Sequence, residues 1–502
     1  FQAEDGIRDF CLSRGLGDVY KRQLNENPGT HGLKQLALKY TPFGDYEKPM
    51  YDRIDSFRKR NGLLKQDFTW DMIPFEVMQE YAAMDAVCTY LIYERFLPKV
   101  EENSKLTYVY RNILLPATEF LLDVESNGVP FDRERLERST VLMQEDIDEA
   151  VRKLYEFKEV QIFEKGQGKE FNPKSTMQLR SLLFDYIGLK PTGKKTGTGA
   201  DSTDAEVLGQ LAEEHAVPQL VLDILQKVKI KSTYLDKIIP ALDRDSRLRT
   251  GFNLHGTTSG RLSSSGKMNM QQIPRDNPIV KGCIRAKPGN KIVAMDLTTA
   301  EVYCAAVLAQ DKALQQVFQG GGNFHSAIAK QVFNLPCEVD EVAEYYSIER
   351  QQAKAVTFGI MYGAGPKKIS EQVTKDSGKY FSTSEAKDVI EDYFRQFFML
   401  KKWLDNCKTV IEKQGFIYSF YGRKRRLPNV NSDNRGIQSH EVRSGMNFLV
   451  QSVASDINLL GAIDTHNAID SSKAKIFALV HDSILAEVSI DYVDEYSKIV
   501  KD

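Results

Sequence analysis

The feature that most constrains the fold is a pair of short apolar segments, far apart in the chain, that each run into an aspartate. Residues 291–295 (Lys-Ile-Val-Ala-Met) precede Asp296, and residues 476–480 (Ile-Phe-Ala-Leu-Val) precede His481 and Asp482. Short runs rich in apolar and β-branched residues are typical of strands, whereas most of the surrounding sequence has helical periodicity. We therefore predict an α+β fold in which a small sheet carries both aspartates.

Length and composition exclude several classes of protein. A chain of 502 residues is several times the size of one hydrophobic core, which indicates several subdomains. The 67 basic and 69 acidic side chains nearly cancel, so any binding of nucleic acid must rely on local basic patches. The cysteines never occur as Cys-x-x-Cys, and the sequence has no Gly-x-x-x-x-Gly-Lys-Ser/Thr phosphate loop, which argues against a zinc site and a P-loop NTPase.

The N-terminal region and the hydropathy pattern predict the location of the protein. No apolar run approaches the roughly 20 residues that a bilayer crossing needs, and the N-terminal region has neither a secretory nor a transit pattern. We expect a cytoplasmic protein, or a virus-encoded one that acts in the host cytoplasm. Residues 1–23 begin without Met and lack clear periodicity, so we interpret them as a non-native leader.

The two aspartates suit metal-dependent chemistry. An aspartate at the end of a strand presents its carboxylate at the rim of a sheet, where hard cations find oxygen ligands. Two such carboxylates can hold two divalent cations about 4 Å apart, as an in-line displacement at phosphorus requires. Each motif also has a simpler interpretation, because Thr298 and Glu301 fit a helix capping box and Asp482 fits a tight turn.

One predicted helix carries a stripe of mixed chemistry. Two cations and two aromatic residues follow one another at intervals of four: Arg350, Lys354, Phe358 and Tyr362. Residues at this spacing share one face of a helix. A core-facing stripe would be apolar and a solvated one would lack the rings, so the mixture favours a ligand with phosphates at one end and a flat base at the other.

Taken in order, these segments resemble motifs A, B and C of the family A DNA polymerases, the DNA polymerase I type. The matching residues are Asp296 and Glu301 for motif A, Arg350, Lys354, Phe358 and Tyr362 for motif B, and His481 and Asp482 for motif C. Four further segments are similar to segments of the family. Residues 258–274, with Arg261, Asn269 and Gln271, are similar to its template-primer contact segment, and residues 322–325, with His325, to its triphosphate-contacting segment. Residues 421–428 are similar to its post-fingers signature, and Arg443, Asn447 and Gln451 to its minor-groove helix. The resemblance runs from about residue 31 to the end.

The resemblance implies a right-hand polymerase fold of thumb, palm and fingers with a small antiparallel palm sheet. A partial ribonuclease H-like 3′-5′ exonuclease domain is expected to precede it. The implied ranges are 24–105 for the exonuclease remnant, 106–245 for the thumb, 246–335 for the first part of the palm, 336–428 for the fingers and 429–502 for the rest of the palm. From about 340 to 430 we predict an almost wholly helical segment.

The implied activity is template-directed DNA synthesis, in which dNTPs are added to a primer 3′-OH. Asp296 and Asp482 would hold two Mg²⁺ ions, and Glu301 would exclude ribonucleotides at the sugar. The residues expected to bind the dNTP are Arg350, Lys354 and His325, which would neutralise the triphosphate, together with Phe358, Tyr362 and Glu301. The residues expected to contact DNA are Arg261, Asn269, Gln271, Arg443, Asn447, Gln451 and His481.

The resemblance also implies the partners: primer-template DNA and dNTPs, but no membrane. We expect a monomer, and the identity of a processivity factor stays open. Tyr81 and Asp85 resemble the last motif of the family's proofreading exonuclease. The earlier acidic motifs of that nuclease have no counterpart before them, so we expect this remnant to be inert.

Two other functions stay open. Motif C of the family usually reads His-Asp-Glu, and here Ser483 replaces the glutamate, which suggests a catalytically weak primer-template binding protein as one alternative. The other alternative is a single-subunit RNA polymerase, which Glu301 disfavours because a carboxylate at the sugar opposes a 2′-OH. A primer-extension assay with dNTPs or rNTPs separates the three.

Overall fold

The computed structural model describes residues 32–266, 268–273, 277–297, 299–320, 323–377, 379–480 and 482–501. The predicted leader at 1–23 lies outside these residues, as do Thr298 and His481. None of the helices in these ranges combines the length and the apolar character that a membrane crossing needs.

Helices fill the region predicted as the exonuclease remnant and the start of the thumb. They are α1 (Leu33–Tyr40), α2 (Lys48–Arg60), α3 (Phe75–Glu101), α4 (Ser104–Tyr108), a π-helical segment (Val109–Leu114) and α5 (Leu115–Asn127). Apolar residues of α1 and α3 join the same hydrophobic core as the central sheet. In the described residues before 129 every regular element is helical, so the strands of a ribonuclease H-like domain have no counterpart there.

The next layer forms the predicted thumb. Its elements are β1 (Val129–Pro130), α6 (Arg133–Tyr155), α7 (Lys158–Gln167), α8 (Thr176–Ser181), α9 (Ala205–Leu211), α10 (Ala216–Ile230), α11 (Asp236–Ala241) and β2 (Arg247–Leu248), with π-helical segments at Leu182–Tyr186 and Lys231–Leu235. Asp132 begins α6 by accepting the N–H of Arg135 at 2.9 Å. These helices have a core of their own, and β1 pairs with β2 at their base. Arg247 then forms a buried ion pair with Glu487 of the central sheet, which fastens this layer to the sheet.

The central sheet is assembled from both halves of the chain. The first half contributes β3 (Gly251–Asn253), β4 (Ser263–Ser265), α12 (Pro278–Lys281), β5 (Asn290–Asp296), α13 (Ala300–Leu308), α14 (Lys312–Gln319) and α15 (Phe324–Phe333). The predicted fingers follow as α16 (Val342–Tyr345), α17 (Ser347–Met361), α18 (Pro366–Ser377), α19 (Thr383–Gln396) and α20 (Phe398–Gln414), around a separate core.

One prediction for the fingers is wrong in part. Residues 416–426 form an antiparallel hairpin, β6 (Phe416–Tyr418) and β7 (Lys424–Arg426), in the segment predicted to be almost wholly helical. Residues 416–421 (Phe-Ile-Tyr-Ser-Phe-Tyr) are rich in aromatic and β-branched residues and are followed by Gly422, and this local preference for a strand and turn outweighs the helical pattern on either side.

The second half ends with α21 (Arg435–Ala468), β8 (Ala474–Val480), β9 (Ser483–Ser489) and α22 (Val493–Lys501). The strand order is β5-β9-β8, and both pairings are antiparallel. This confirms the small antiparallel sheet and the tight hairpin around Asp482. In the register of the sheet Asp296 lies opposite Ser483, so the two predicted aspartates reach the same edge.

Candidate active site

The edge of the sheet holds two aspartates side by side. Asp296 ends β5 and is exposed, while Asp482 is half-buried in the turn that leads into β9. The N–H of Leu297 donates to the carbonyl oxygen of Asp482 at 3.1 Å, which fixes the two strand ends together. The Ser483 hydroxyl donates to Oδ1 of Asp296 at 2.5 Å. Ser483 is therefore a direct neighbour of the predicted metal ligand, a contact that its position after Asp482 alone does not reveal.

This edge has the donor chemistry of a site for hard cations. Mg²⁺ prefers oxygen ligands and usually retains water or substrate oxygens beside one or two carboxylates. Within the described ranges no group of three or more His, Cys, Asp or Glu side chains is placed to hold a metal, so two carboxylates are what the sheet edge offers. The hydrogen bond from Ser483 engages only one oxygen of Asp296, and the residues present thus fit the ion.

Glu301 links the sheet edge to the predicted fingers. It is buried on the first turn of α13, where its Oε1 forms an ion pair with Arg261 and its Oε2 accepts the hydroxyl hydrogen of Tyr362 at 2.7 Å. Burial and this hydrogen bond raise the pKa of the Tyr362 hydroxyl. The residue that begins α13 is Thr299, whose side chain makes no capping hydrogen bond. Both oxygens of Glu301 are thus committed to distant residues, which argues against the capping-box interpretation.

The stripe on α17 faces His325 of α15. The His325 ring lies 5.4 Å from the Phe358 ring, and the Phe358 and Tyr362 rings stack with centroids 6.4 Å apart. Burial, with the nearby charges of Lys354 and Arg350, lowers the pKa of His325 to about 4. With this lowered pKa the ring of the ligand-free protein offers a hydrogen bond instead of a charge. That His325 contacts the triphosphate stays a prediction.

Two buried polar atoms in the same place indicate a ligand. In the described part of the chain, Nδ1 of His325 and Nε of Arg350 are buried without a hydrogen-bond partner. Arg350 Nη2 donates to Asn323 at a long 3.4 Å. Buried polar atoms are normally paired, so unpaired ones beside an exposed Lys354 favour a polar ligand that completes them.

A cleft lies between the segment around Arg261, the helix α21 and the tip of the β8–β9 hairpin. Its lining residues are Arg261, Leu262, Gln271, Ser455, Asn458, Leu459, Leu479 and Asp482. Gln271 donates to the carbonyl oxygen of Leu479 at 3.5 Å, which holds the 261–271 segment against the sheet. The structure thus brings into one cleft Arg261 and Gln271, which are predicted to contact DNA, and Asp482, which is predicted to bind metal.

The family of the chain follows from comparison with known proteins. The profile of DNA polymerase family A matches residues 140–502. The chain belongs to DNA polymerase family A. It is 48% identical over 498 residues to a DNA polymerase of Escherichia phage T5, which covers 95% of this chain and 58% of the phage protein. It is 30% identical over 428 residues to the thermostable DNA polymerase I of Thermus thermophilus, which covers 84% of this chain and 49% of that protein.

A solved structure supports the family A fold. The POL domain of Pol1 from M. smegmatis, solved in complex with DNA primer-template and dNTP, superimposes with a TM-score of 0.74 at 25% identity, over 96% of this chain and 77% of that one. The polymerase fold predicted from the motifs is confirmed. The chain spans about half to three fifths of the length of the curated relatives named above.

The residues of α21 that are predicted to contact DNA belong to a longer series. Arg443, Asn447 and Gln451 advance by four, and Ser455 of the cleft continues the same series. Arg443 lies against Gly363: a Cβ on Gly363 would come within 2.8 Å of Cγ of Arg443. Gly363 adopts a φ of +66°. Within the described residues the buried Oδ1 of Asn447 lacks a partner. The spacing of four could have identified Ser455.

Three predicted residues, Asn269, Tyr81 and Asp85, lie outside the sheet edge, the α17 stripe and the cleft described above. Asn269 shapes the 264–271 turn, because its Oδ1 accepts the N–H of Gln271 at 3.0 Å and faces the Ser264 hydroxyl. Tyr81 and Asp85 lie on α3. Asp85 is buried, and burial raises the pKa of its carboxyl although Tyr46 and Tyr81 donate hydrogen bonds to it.

Proposed function

We propose that the chain catalyses template-directed DNA synthesis. The observation that carries the proposal is the Glu301–Tyr362 hydrogen bond. Glu301 leaves the sheet edge five residues after Asp296, and Tyr362 ends the helix that presents Arg350 and Lys354. This hydrogen bond holds α17, the proposed phosphate-binding helix, next to the sheet edge that carries Asp296 and Asp482. Such an arrangement suits transfer of a nucleotide to a primer.

The residues divide the reaction among themselves. The primer 3′-oxygen forms a bond to the α-phosphorus of the dNTP as the bond from that phosphorus to the pyrophosphate oxygen breaks. Pyrophosphate leaves, and the proton of the 3′-OH passes to solvent water. Family A polymerases are metal-dependent, and Asp296 and Asp482 would hold two Mg²⁺ ions that activate the hydroxyl and stabilise the leaving oxygen. Arg350 and Lys354 would bind the triphosphate, and His325 would donate a hydrogen bond to it.

The DNA partner is proposed from the cleft and from α21. Arg261, Gln271, Arg443, Asn447 and Gln451 would contact the minor groove of the primer-template duplex. Hydrogen-bonding side chains in that groove read a degenerate pattern, so we expect recognition of duplex shape with little dependence on sequence. The primer-template DNA and dNTP in the M. smegmatis Pol1 structure support this assignment. We also propose a monomer that acts in the cytoplasm.

A catalytically weak binding protein is the second candidate, because Ser483 stands where the family usually has a glutamate. The hydroxyl of Ser483 is already bonded to Asp296, so it supports a metal ligand without adding a charge. The RNA polymerase alternative is weakened by Glu301, which is buried and anchored at both oxygens next to the site for the sugar.

Primer extension tests all three candidates. The full chain is incubated with a labelled primer-template and Mg²⁺, with either the four dNTPs or the four rNTPs. Binding of the same DNA is followed in parallel by fluorescence anisotropy. We expect extension with dNTPs only. Binding without extension would favour the weak binding protein, and extension with rNTPs would favour the RNA polymerase.

A further inference from the structure

The β6–β7 hairpin carries rings and cations on one face. In its register Phe416 lies opposite Arg426 and Tyr418 lies opposite Lys424, and directly opposed residues of an antiparallel pair point to the same side. Phe420 follows in the turn. We call this set the aromatic face: Phe416, Tyr418, Phe420, Lys424 and Arg426. Its two outermost rings are well exposed, Tyr418 by 48% and Phe420 by 61%.

The opposite face of the hairpin is buried on α21. Ile417 packs with Val442, Phe448 and Leu449 in a small core. Arg425, opposite Ile417, donates to the Ser444 hydroxyl at 3.3 Å. The hairpin is therefore held from behind, and the aromatic face points away from α21.

The charges on the hairpin are all of one sign. Residues 416–427 contain four cations and no carboxylate. Arg423 is neutralised by a buried ion pair with Asp456, at 2.7 and 3.1 Å. Lys424 Nζ lies 3.9 Å from the centre of the Phe416 ring and 5.5 Å from that of Tyr418, so the rings hold its ammonium at the surface.

The base of the turn is fixed to the candidate active site. A Cβ on Gly260, the residue before Arg261, would lie 3.2 Å from Nε of Arg423. The Tyr421 ring packs against Cys304 of α13, the helix that carries Glu301. The aromatic face thus extends from the rim of the cleft toward α20 of the predicted fingers.

We propose that the aromatic face binds single-stranded DNA, as the unpaired template strand beyond the site of insertion; this ligand rests on the proposed function. Rings give unpaired bases a surface to stack on whatever their sequence, and lysine and arginine between the rings follow the phosphates. Paired bases in a duplex expose only their edges and cannot stack in this way. A surface that combines rings with cations therefore favours binding of a single strand over a duplex.

The test measures binding of primer-template DNA in metal-free buffer. Two labelled DNAs share one duplex and differ in the 5′ template overhang, about two nucleotides in one and about twelve in the other. We expect the full chain to prefer the long overhang. Tyr418→Ser/Phe420→Ser should lower affinity for the long overhang by about 25-fold or more, because stacking on each of the two rings contributes about fivefold or more. Affinity for the short overhang should stay within about twofold.

Matched variants separate stacking from general damage. Tyr418→Phe keeps the ring and should keep the preference for the long overhang. Tyr380→Ser removes a ring elsewhere in the predicted fingers that is 85% exposed. This variant should also retain the preference for the long overhang. Lys424→Gln should reduce the slope of log affinity against log salt by roughly 0.7 for the long overhang. Phe420→Ser alone measures the same quantity if the double variant melts early.

Two outcomes would overturn the proposal. In one, the double variant retains the full preference for the long overhang, which would leave the aromatic face to another partner such as an acidic protein. In the other, affinity for both DNAs falls equally, which would show a structural effect. Because binding is read without catalysis, a chain that fails to extend primers would contradict the proposed function and leave this measurement intact.

Discussion

At the scale of single residues, Asp482 and Ser483 are neighbours with different tasks. Asp482 offers a carboxylate at the sheet edge, and Ser483 offers a neutral hydroxyl that is bonded to Asp296. We expect Asp482→Ala to lower the rate of extension by about a thousandfold or more, since loss of a metal ligand removes several kcal/mol of transition-state stabilisation. Ser483→Glu should change the rate by no more than about tenfold in either direction.

Single-turnover primer extension at saturating dNTP measures both changes. Ser483→Ala is the matched control, because it removes the hydroxyl without adding charge. An effect of Ser483→Glu as large as that of Asp482→Ala would show that the two roles are assigned to the wrong residues.

Glu301 belongs to the same scale, and the role that we propose for it is steric. Its carboxylate is held between Arg261 and Tyr362, so its position is fixed before any nucleotide binds. We expect Glu301→Ala to raise the use of rNTPs relative to dNTPs by more than tenfold, or about 1.4 kcal/mol of lost discrimination.

Competitive incorporation of one rNTP and its dNTP gives this ratio. Tyr362→Phe removes one of the two anchors of Glu301 and should produce a smaller rise in the same direction. An unchanged ratio in Glu301→Ala would limit this residue to a structural role.

His325 predicts a dependence of nucleotide binding on pH. Its pKa is about 4 in the free protein, below its ordinary value, because burial and two nearby cations oppose its charge. A bound triphosphate should raise that pKa. The complex then holds more protons than the free protein, so affinity should increase as pH falls through the raised pKa and level off below about 4.

NMR titration of His325, with and without a dNTP, checks the shift directly. His325→Gln keeps a hydrogen-bond donor without a titrating ring, and should show no change of affinity with pH from this source. An equal pKa in both states would place the triphosphate away from the ring.

At the scale of elements, α17 predicts how the chain treats dideoxynucleotides. Phe358 has no hydroxyl, so it cannot replace the hydrogen bond that a missing 3′-OH would make. The family resemblance implies strong rejection of these analogues. Phe358→Tyr should relax the rejection sharply while ordinary dNTP incorporation stays within a few fold.

Chain-termination assays at a fixed ratio of ddNTP to dNTP read out the effect. Tyr345→Phe, in the preceding helix, is a control for loss of a hydroxyl elsewhere in the predicted fingers. Equal use of ddNTPs by Phe358→Tyr and the unaltered chain would mean that the stripe does not face the sugar.

Elements were predictable where one pattern dominated. Apolar runs located β5 and β8, and the spacing of four located the stripe of α17. The hairpin at 416–426 was missed because its strands are three residues long and lie between helices. The partners of Glu301 were also beyond the sequence, because Arg261 lies 40 residues before it and Tyr362 lies 61 residues after it. Contacts across such separations depend on tertiary packing, which no local pattern encodes.

At the scale of the whole molecule, the N-terminal helices pack against the rest of the chain and stabilise its core. Their apolar residues share the core of the sheet, and Asp85 is enclosed by Tyr46 and Tyr81. We expect no nuclease activity from this region. Asp85 accepts hydrogen bonds from tyrosine hydroxyls, and in the described residues no third metal-binding side chain joins Asp85 and the neighbouring Glu47 to complete a two-metal site.

Incubation of labelled single-stranded DNA with the full chain and Mg²⁺ tests the prediction. Digestion that disappears in Asp85→Ala would contradict it. Asp85→Asn, which keeps the shape and the hydrogen bonds to Tyr46, distinguishes loss of a metal ligand from loss of packing.

The pairing of β5 with β9 also has a consequence for protein synthesis. Asp296 and Ser483 meet across 187 positions of sequence. At translation rates of roughly 5–20 residues per second, roughly ten to forty seconds pass between the emergence of the first carboxylate and that of its partner strand. In the later part of that interval the ribosome carries a chain in which α17, the predicted nucleotide-binding helix, has been made and half of the carboxylate pair is missing. An unfinished chain therefore cannot complete the proposed centre, and we expect partial products to be inactive.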